Sequence, residues 1–166
     1  MPSPTDADLH HITEQLAFQL SARRRTLGTA ESCTGGWIGK LCTDLPGSSA
    51  WYASGVICYS NITKMQQLGV SKTLIEQQGP VSEAVALSMA RGAMLAMASD
   101  YGLSVTGLAG PEGGSAELPV GTVWIGWASP KAVLAESFFW QGTRDEIRRY
   151  AVAAAMQGLM QRIRQL

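Results

Sequence analysis

No CxxC or CxxH pair occurs in this sequence, and its cysteines, Cys33, Cys42 and Cys58, are an odd three. That excludes the common zinc sites and a disulfide framework, so a reduced, cytoplasmic chain is expected. Histidine is scarcer still: His10 and His11 stand side by side near the N-terminus without a carboxylate or thiol cluster, so no protein-ligated metal is expected. The opening MPSPTDADLHH has neither the basic segment nor the apolar core of a secretory signal. The longest apolar-looking stretch, Ala84 to Ala98, is broken by Ser88, Arg91 and Gly92 and falls short of the ~20 residues a membrane helix needs. Net charge is also missing, with 13 Lys plus Arg against 13 Asp plus Glu. No overall field draws nucleic acid or an anionic membrane, which leaves a small molecule or a protein as partner, although a local basic pocket stays open.

What is present is material for one core. A chain of 166 residues with 46% hydrophobic and 16% charged residues is expected to form one domain spanning 1–166. Thr5 with Asp8 opens a helix from Asp6 to Arg24, on which Leu9, Ile12, Leu16 and Leu20 recur near helical period. Thr26 to Ala30 reads as a strand, followed by a glycine turn and a helix from Trp37 to Leu45. Trp51 to Tyr59 is a strand by its aromatic and β-branched content, and Asn61 is expected to cap a helix, Ile62 to Leu68, that Gly69 ends. Ser82 caps a long helix reaching Ser99, and Leu103 to Leu108 is the next strand. A polar segment rich in Gly and Pro, Ala109 to Pro119, is a loop. Val120 to Ala128 and Val133 to Trp140 pair as a hairpin, and Thr143 with Glu146 opens a last helix, Asp145 to Arg164. This alternation predicts an α/β fold, a three-layer α/β/α sandwich around a mixed, mostly parallel sheet.

Three segments can carry chemistry. Thr29 to Gly36, where a strand runs into a helix, offers Ser32, Cys33, Thr34, Gly35 and Gly36 as a site for an anion or oxyanion, because a helix N-terminus presents unpaired N–H groups and glycine lets a ligand approach. Equally, Ser32 or Thr34 can be a plain cap and the glycines a packing device. The spacing matches neither a P-loop nor a dinucleotide fingerprint. Tyr59 to Lys64 delivers Tyr59 from a strand end and Lys64 from the first turn of a helix, where the dipole and burial lower a lysine's pKa and suit it as a base. The alternative is a solvated lysine beside a core tyrosine. Thr106, Gly107, Ala109, Gly110, Gly113 and Gly114 belong to a strand and glycine loop placed, as ligands are in open α/β sheets, beyond the carboxyl end of a strand. Arg144 and Arg148, four apart on the last helix, either pair with a phosphate or decorate a solvated face. Trp37, Trp51 and Trp140 offer more apolar surface than one small core needs, so a homodimer or higher homo-oligomer is expected.

In their order along nearly the whole chain, Ala30 to Gly36, Tyr59-Ser60-Asn61 with Lys64, Gly79 to Glu83, Thr106 to Gly114 and Pro119 to Val123 resemble the CinA C-terminal domain family. The resemblance implies deamidation of nicotinamide mononucleotide in pyridine nucleotide recycling, with no metal or organic cofactor. It also implies the stand-alone form, without the molybdopterin-binding-like domain that longer members carry. For mechanism it implies Ser32 as nucleophile, Lys64 as proton acceptor and Tyr59 as relay or orienting group. The N–H groups of Cys33 and Thr34 would hold the oxyanion, and the phosphate would lie on the 107–114 loop with Arg144 or Thr34. Ser48 and Ser49 are the next candidates for nucleophile. The chain departs from the family at Glu112, where aspartate is frequent, and at Leu118, where lysine is frequent and a cationic ligand contact is lost. That second departure keeps another reading open, a catalytically inactive nucleotide-binding module of the competence or DNA-damage type, as does turnover of a different amide-bearing nucleotide.

Overall fold

The computed structural model describes residues 2–163. Helix α1 (Asp6–Ala22) begins with the predicted capping box, in which the Thr5 side chain and the Asp8 carboxylate each take the other's backbone N–H. Strand β1 (Leu27–Glu31), helix α2 (Trp37–Asp44), a 3-10 turn (Ser48–Ala50) and strand β2 (Tyr52–Ile57) follow. Helix α3 (Asn61–Leu68) is capped by Ser60 rather than Asn61: the Ser60 hydroxyl accepts from Thr63 N. Helix α4 (Lys72–Gln78), which the sequence reading left out, is short and mostly polar, with only Ile75 buried. Helix α5 (Glu83–Ala96) stops three residues before the expected end, because Ala98 turns into the left-handed region at φ 47°. Strands β3 (Tyr101–Gly107), β4 (Thr122–Ala128) and β5 (Val133–Phe139) precede helix α6 (Arg144–Arg162), opened by the predicted Thr143–Glu146 capping box. The expected final turn at Arg164 lies outside the described residues.

The sheet order is β2-β1-β3-β4-β5. β1 is parallel to both β2 and β3, and the β3–β4 and β4–β5 pairs are antiparallel, so the mixed sheet divides its pairings evenly. Helices α1, α2 and α6 cover one face with Leu16, Ile38 and Met156 against Leu103, Ile125 and Trp127. Helices α3, α4 and α5 cover the other with Leu68, Ile75 and Met89. Close packing of α5 depends on Gly102 and Gly126, where a Cβ would run into the Ala90 and Ala86 carbonyls.

Register sets the site. Glu31, the last residue of β1, lies opposite Ile57 of β2 and Val105 of β3. β1 and β2 therefore finish level, β3 runs parallel beside them two residues further to Gly107, and the residues following each emerge at one edge of the sheet. The tryptophans expected to seek a partner are engaged within the chain. Trp51 is buried, Trp140 stacks on Phe138 and Tyr150, and Trp37 has the Arg148 and Arg149 guanidiniums 5.1 and 5.0 Å from its ring centroid. They no longer argue for an assembly.

Candidate active site

Ser32 follows β1 directly and continues its ladder: Ser32 N donates to Val105 O at 2.9 Å, and Cys58 N donates to Glu31 O at 2.8 Å. The chain then reverses through Gly35 and Gly36, whose φ of 64° and 90° lie in the left-handed region. This turn is laced by Gly35 N to Ser32 O at 3.1 Å and Trp37 N to Thr34 O at 3.3 Å. From α6, Arg148 reaches in and donates Nε to Cys33 O at 3.1 Å and Nη2 to Thr34 O at 3.0 Å.

The N-terminus of α2, expected to receive an anion, holds the protein's own carboxylate. Glu31 is 2% exposed, and its oxygens accept from Ile38 N at 3.1 Å and Gly39 N at 2.9 Å. Gly36 at the N-cap has no side chain to cap with, so Glu31 performs that task from the preceding strand. Burial pushes the Glu31 carboxyl pKa up, while the amide donors pull it down.

Lys64 enters from the opposite layer. It is 2% exposed, and its Nζ donates to Cys58 O at 2.9 Å and Ser32 Oγ at 3.1 Å, with Tyr59 O at 3.5 Å. These acceptors are neutral, and among the described residues no carboxylate pairs with this amine. Loss of hydration therefore drives the Lys64 pKa below its ordinary value, with the nearby thiols opposing. The solvated-lysine alternative does not hold.

The phenol of Tyr59 points elsewhere. Tyr59 is 64% exposed, and its hydroxyl accepts from Arg144 Nη2 at 3.3 Å, while only its backbone carbonyl faces Lys64. Arg144 Nη1 donates to Gly110 O at 2.6 Å and so ties the glycine loop to Tyr59 across the mouth of the site. Between these groups lies a cleft of about 240 Å³, bordered by Ser32, Lys64, Thr106, Glu112 and Arg144 among others. Cys33, Gly107, Ala109 and Gly110 also face it, but Thr34, Gly35, Gly36, Gly113 and Gly114 do not. The Thr106 hydroxyl is bonded to Pro80 O at 2.8 Å. Ser48 and Ser49 lie outside the cleft, as does Leu118, whose N–H bonds to Ser115 Oγ at 3.1 Å. A larger groove of about 1010 Å³ runs between the N-terminal segment, α1 and α6. The Thr5 hydroxyl and the Asp8 carboxylate that border it are bonded to each other in the α1 cap.

Sequence reading passed over Pro80, Val81 and Asn61 as cleft residues, and Glu31 and Arg148 as the groups that shape the turn. Glu31 had a signal: an acid adjoining the candidate nucleophile, at a strand end whose other side chains are apolar or small. Among the described residues no group of three or more His, Cys, Asp or Glu could hold a metal ion, and no helix is long and apolar enough to cross a membrane.

A three-layer α/β/α protein with a buried serine–lysine pair at the carboxyl edge of its parallel strands is the class that this geometry defines. Residues 9–163 match the model of the CinA C-terminal domain family. The chain belongs to that family. It is 47% identical over 165 residues to the nicotinamide-nucleotide amidohydrolase PncC of Shigella flexneri, covering 97% of this chain and 98% of that protein. A protein of the same name from Escherichia coli K12 is 46% identical over 162 residues, with the same coverage. Among solved structures, the competence/damage inducible protein CihA from Agrobacterium tumefaciens superposes with a TM-score of 0.90 at 34% identity, covering 97% of this chain and 98% of that one.

Proposed function

We propose that this protein is a nicotinamide-nucleotide amidase that hydrolyses the carboxamide of nicotinamide mononucleotide to nicotinic acid mononucleotide and ammonia, in pyridine nucleotide recycling. The observation that carries the reading is the 3.1 Å contact between Lys64 Nζ and Ser32 Oγ, made by a buried amine without a counter-ion. A lysine in that setting is available as a neutral base, which a merely structural pair does not require. The names of the PncC relatives, at 46–47% identity over nearly the full chain, support the substrate.

The steps follow from the groups at hand. Neutral Lys64 takes the Ser32 hydroxyl proton as Oγ attacks the carboxamide carbon, and the carbonyl electron pair moves to oxygen. The N–H of Cys33, which borders the cleft and which the bonds lacing the turn leave over, holds that oxyanion at ~3 kcal/mol for a good donor. The Lys64 ammonium then gives its proton to the departing nitrogen, ammonia leaves, and an acyl ester remains on Ser32. Water attacks the ester, Lys64 accepts its proton and returns it to Oγ, and the carboxylic acid is released. Because Glu31 already occupies the α2 N-terminus, neither oxyanion nor phosphate depends on that helix end. The phosphate is assigned to the mouth, where Arg144 and the loop at Gly110 face the solvent side of the cleft. Tyr59 acts there with Arg144, in place of a proton relay.

The test is ammonia release from nicotinamide mononucleotide by the EDTA-treated protein, beside Ser32→Ala and Lys64→Ala. Turnover that survives EDTA and vanishes in both variants is expected. Binding without any ammonia release by the wild type would replace the amidase with a regulatory nucleotide-binding module.

A further inference from the structure

The turn that presents Ser32 has an external brace. Its peptides are trans, so each carbonyl and the N–H of the next residue point in opposite directions. The Ser32 carbonyl accepts from Gly35 N within the turn, which fixes where the Cys33 N–H points. The Cys33 carbonyl has no such partner inside the turn; it accepts from Arg148 Nε, and the Thr34 carbonyl accepts from Nη2 of the same guanidinium. That guanidinium is itself seated over the Trp37 ring at 5.1 Å, on the helix into which the turn runs. One planar fork thus holds two consecutive carbonyls toward α6, which leaves the Gly35 N–H turned to the Ser32 carbonyl.

We propose that Arg148 is a positioning residue for amide hydrolysis: by gripping the Cys33 and Thr34 carbonyls it holds the Gly35 N–H on the Ser32 carbonyl, and so aims the N–H of Cys33, which borders the cleft, at the carbonyl oxygen under attack by Ser32. The inference rests on Ser32 being the nucleophile. It assigns Arg148 neither to a phosphate nor to a solvated face, the two readings its position in the sequence left open. A lysine cannot substitute fully, because a single ammonium lacks the two-donor fork that matches two adjacent carbonyls. Nor does Arg148 act on the base, since Lys64 approaches from the other side of the sheet and shares no hydrogen bond with it.

The experiment compares wild type, Arg148→Lys, Arg148→Ala and Ser32→Ala on nicotinamide mononucleotide, with melting temperatures as the folding control. Expected for both Arg148 variants is a fall in kcat of about 10- to 100-fold, short of the ~10²–10³ for deleting a donor outright, with KM within about twofold. The acid limb of the pH profile stays in place, and dilute guanidinium restores part of the lost kcat to Arg148→Ala, while an alkylammonium of similar size does not. Should Arg148→Ala fail to fold, Arg148→Lys with an unchanged melting temperature decides. The proposal is overturned by full kcat in the folded Arg148 variants, by a KM rise that matches the kcat loss, or by a shifted pH limb. Undiminished turnover in Ser32→Ala is a separate outcome and removes the nucleophile assignment itself.

Discussion

Glu31 and Ser32 are chain neighbours that serve opposite layers: the Glu31 carboxylate accepts from Ile38 and Gly39 N–H in α2, whereas Ser32 Oγ meets Lys64 of α3. Alternation along a strand makes this possible, since successive side chains leave by opposite faces. The nucleophile's position is therefore tied through one residue to the capping of a helix on the far side of the sheet.

Acid dependence of stability should expose Glu31. Burial raises its carboxyl pKa above the ordinary 4.5, so between 4.5 and that raised value the folded chain binds more protons than the unfolded chain. The contribution of Glu31 to stability is accordingly full below pH 4.5 and declines as pH climbs through the window. Urea midpoints of the wild type are expected to carry this downward component, and Glu31→Gln to lack it. Identical slopes in the two proteins would refute the assignment.

Lys64 gives the reverse sign. Its pKa is lowered from 10.5 by desolvation, so between the folded value and 10.5 the unfolded state holds the extra proton and stability rises with pH. Amidase kcat/KM should rise as Lys64 loses its proton, with an apparent pKa below 10.5. Lys64→Arg, which cannot deprotonate, is expected to lose about 10³-fold or more in kcat at every pH, as the loss of an essential proton acceptor does. A pH-rate profile of the wild type with no such limb would count against Lys64 as the base.

Among the serines, only Ser32 should matter to chemistry. Ser32→Ala is expected to lower kcat by about 10³-fold or more while leaving nucleotide binding within a few-fold. Ser48→Ala and Ser49→Ala, altered in the 3-10 turn away from the cleft, should turn over at the wild-type rate. Steady-state kinetics of the three variants decide this, and a dead Ser48→Ala with a live Ser32→Ala would reverse the assignment.

Tyr59 and Arg144 should separate from the chemistry in the opposite way. Arg144→Ala is expected to raise KM about 10- to 100-fold, the range for a hydrogen bond to a charged group, with kcat little changed. Tyr59→Phe, which keeps the ring and drops one acceptor for Arg144, should cost less than about tenfold in either constant. A selective collapse of kcat in Tyr59→Phe would reinstate the phenol as a proton relay.

Sequence reading reached the layers because their signals are local, whereas the pairing of Ser32 with Lys64, 32 residues apart, came from the family resemblance. Thr5–Asp8 and Thr143–Glu146 are capping boxes closed within four residues, and Lys64 follows a strand end at helical spacing. The order of the motifs carried the family resemblance, which then supplied the roles of Ser32, Lys64 and Tyr59. What stayed hidden depends on long-range geometry. Glu31 bonds amides seven and eight residues on, across a turn of two left-handed glycines, and Arg148 grips carbonyls more than a hundred residues earlier. The Tyr59–Arg144 bond likewise depends on how α6 crosses the sheet edge. Helix α4 was missed for a different reason: seven residues with one buried side chain leave no apolar period to read.

The hydrogen bonds from Ser32 N to Val105 O and from Cys58 N to Glu31 O have a consequence for durability. The nucleophile follows Glu31 directly at the end of β1, and Cys58, whose carbonyl anchors the base, is bonded to Glu31 itself, with no hinge between them. Breathing at loop tips leaves Ser32 and Cys58 in place; separating them takes parting β1 from its neighbours. Heat inactivation is therefore expected to coincide with loss of the whole fold, with the Ser32 and Cys58 amides among the last to exchange with deuterated water.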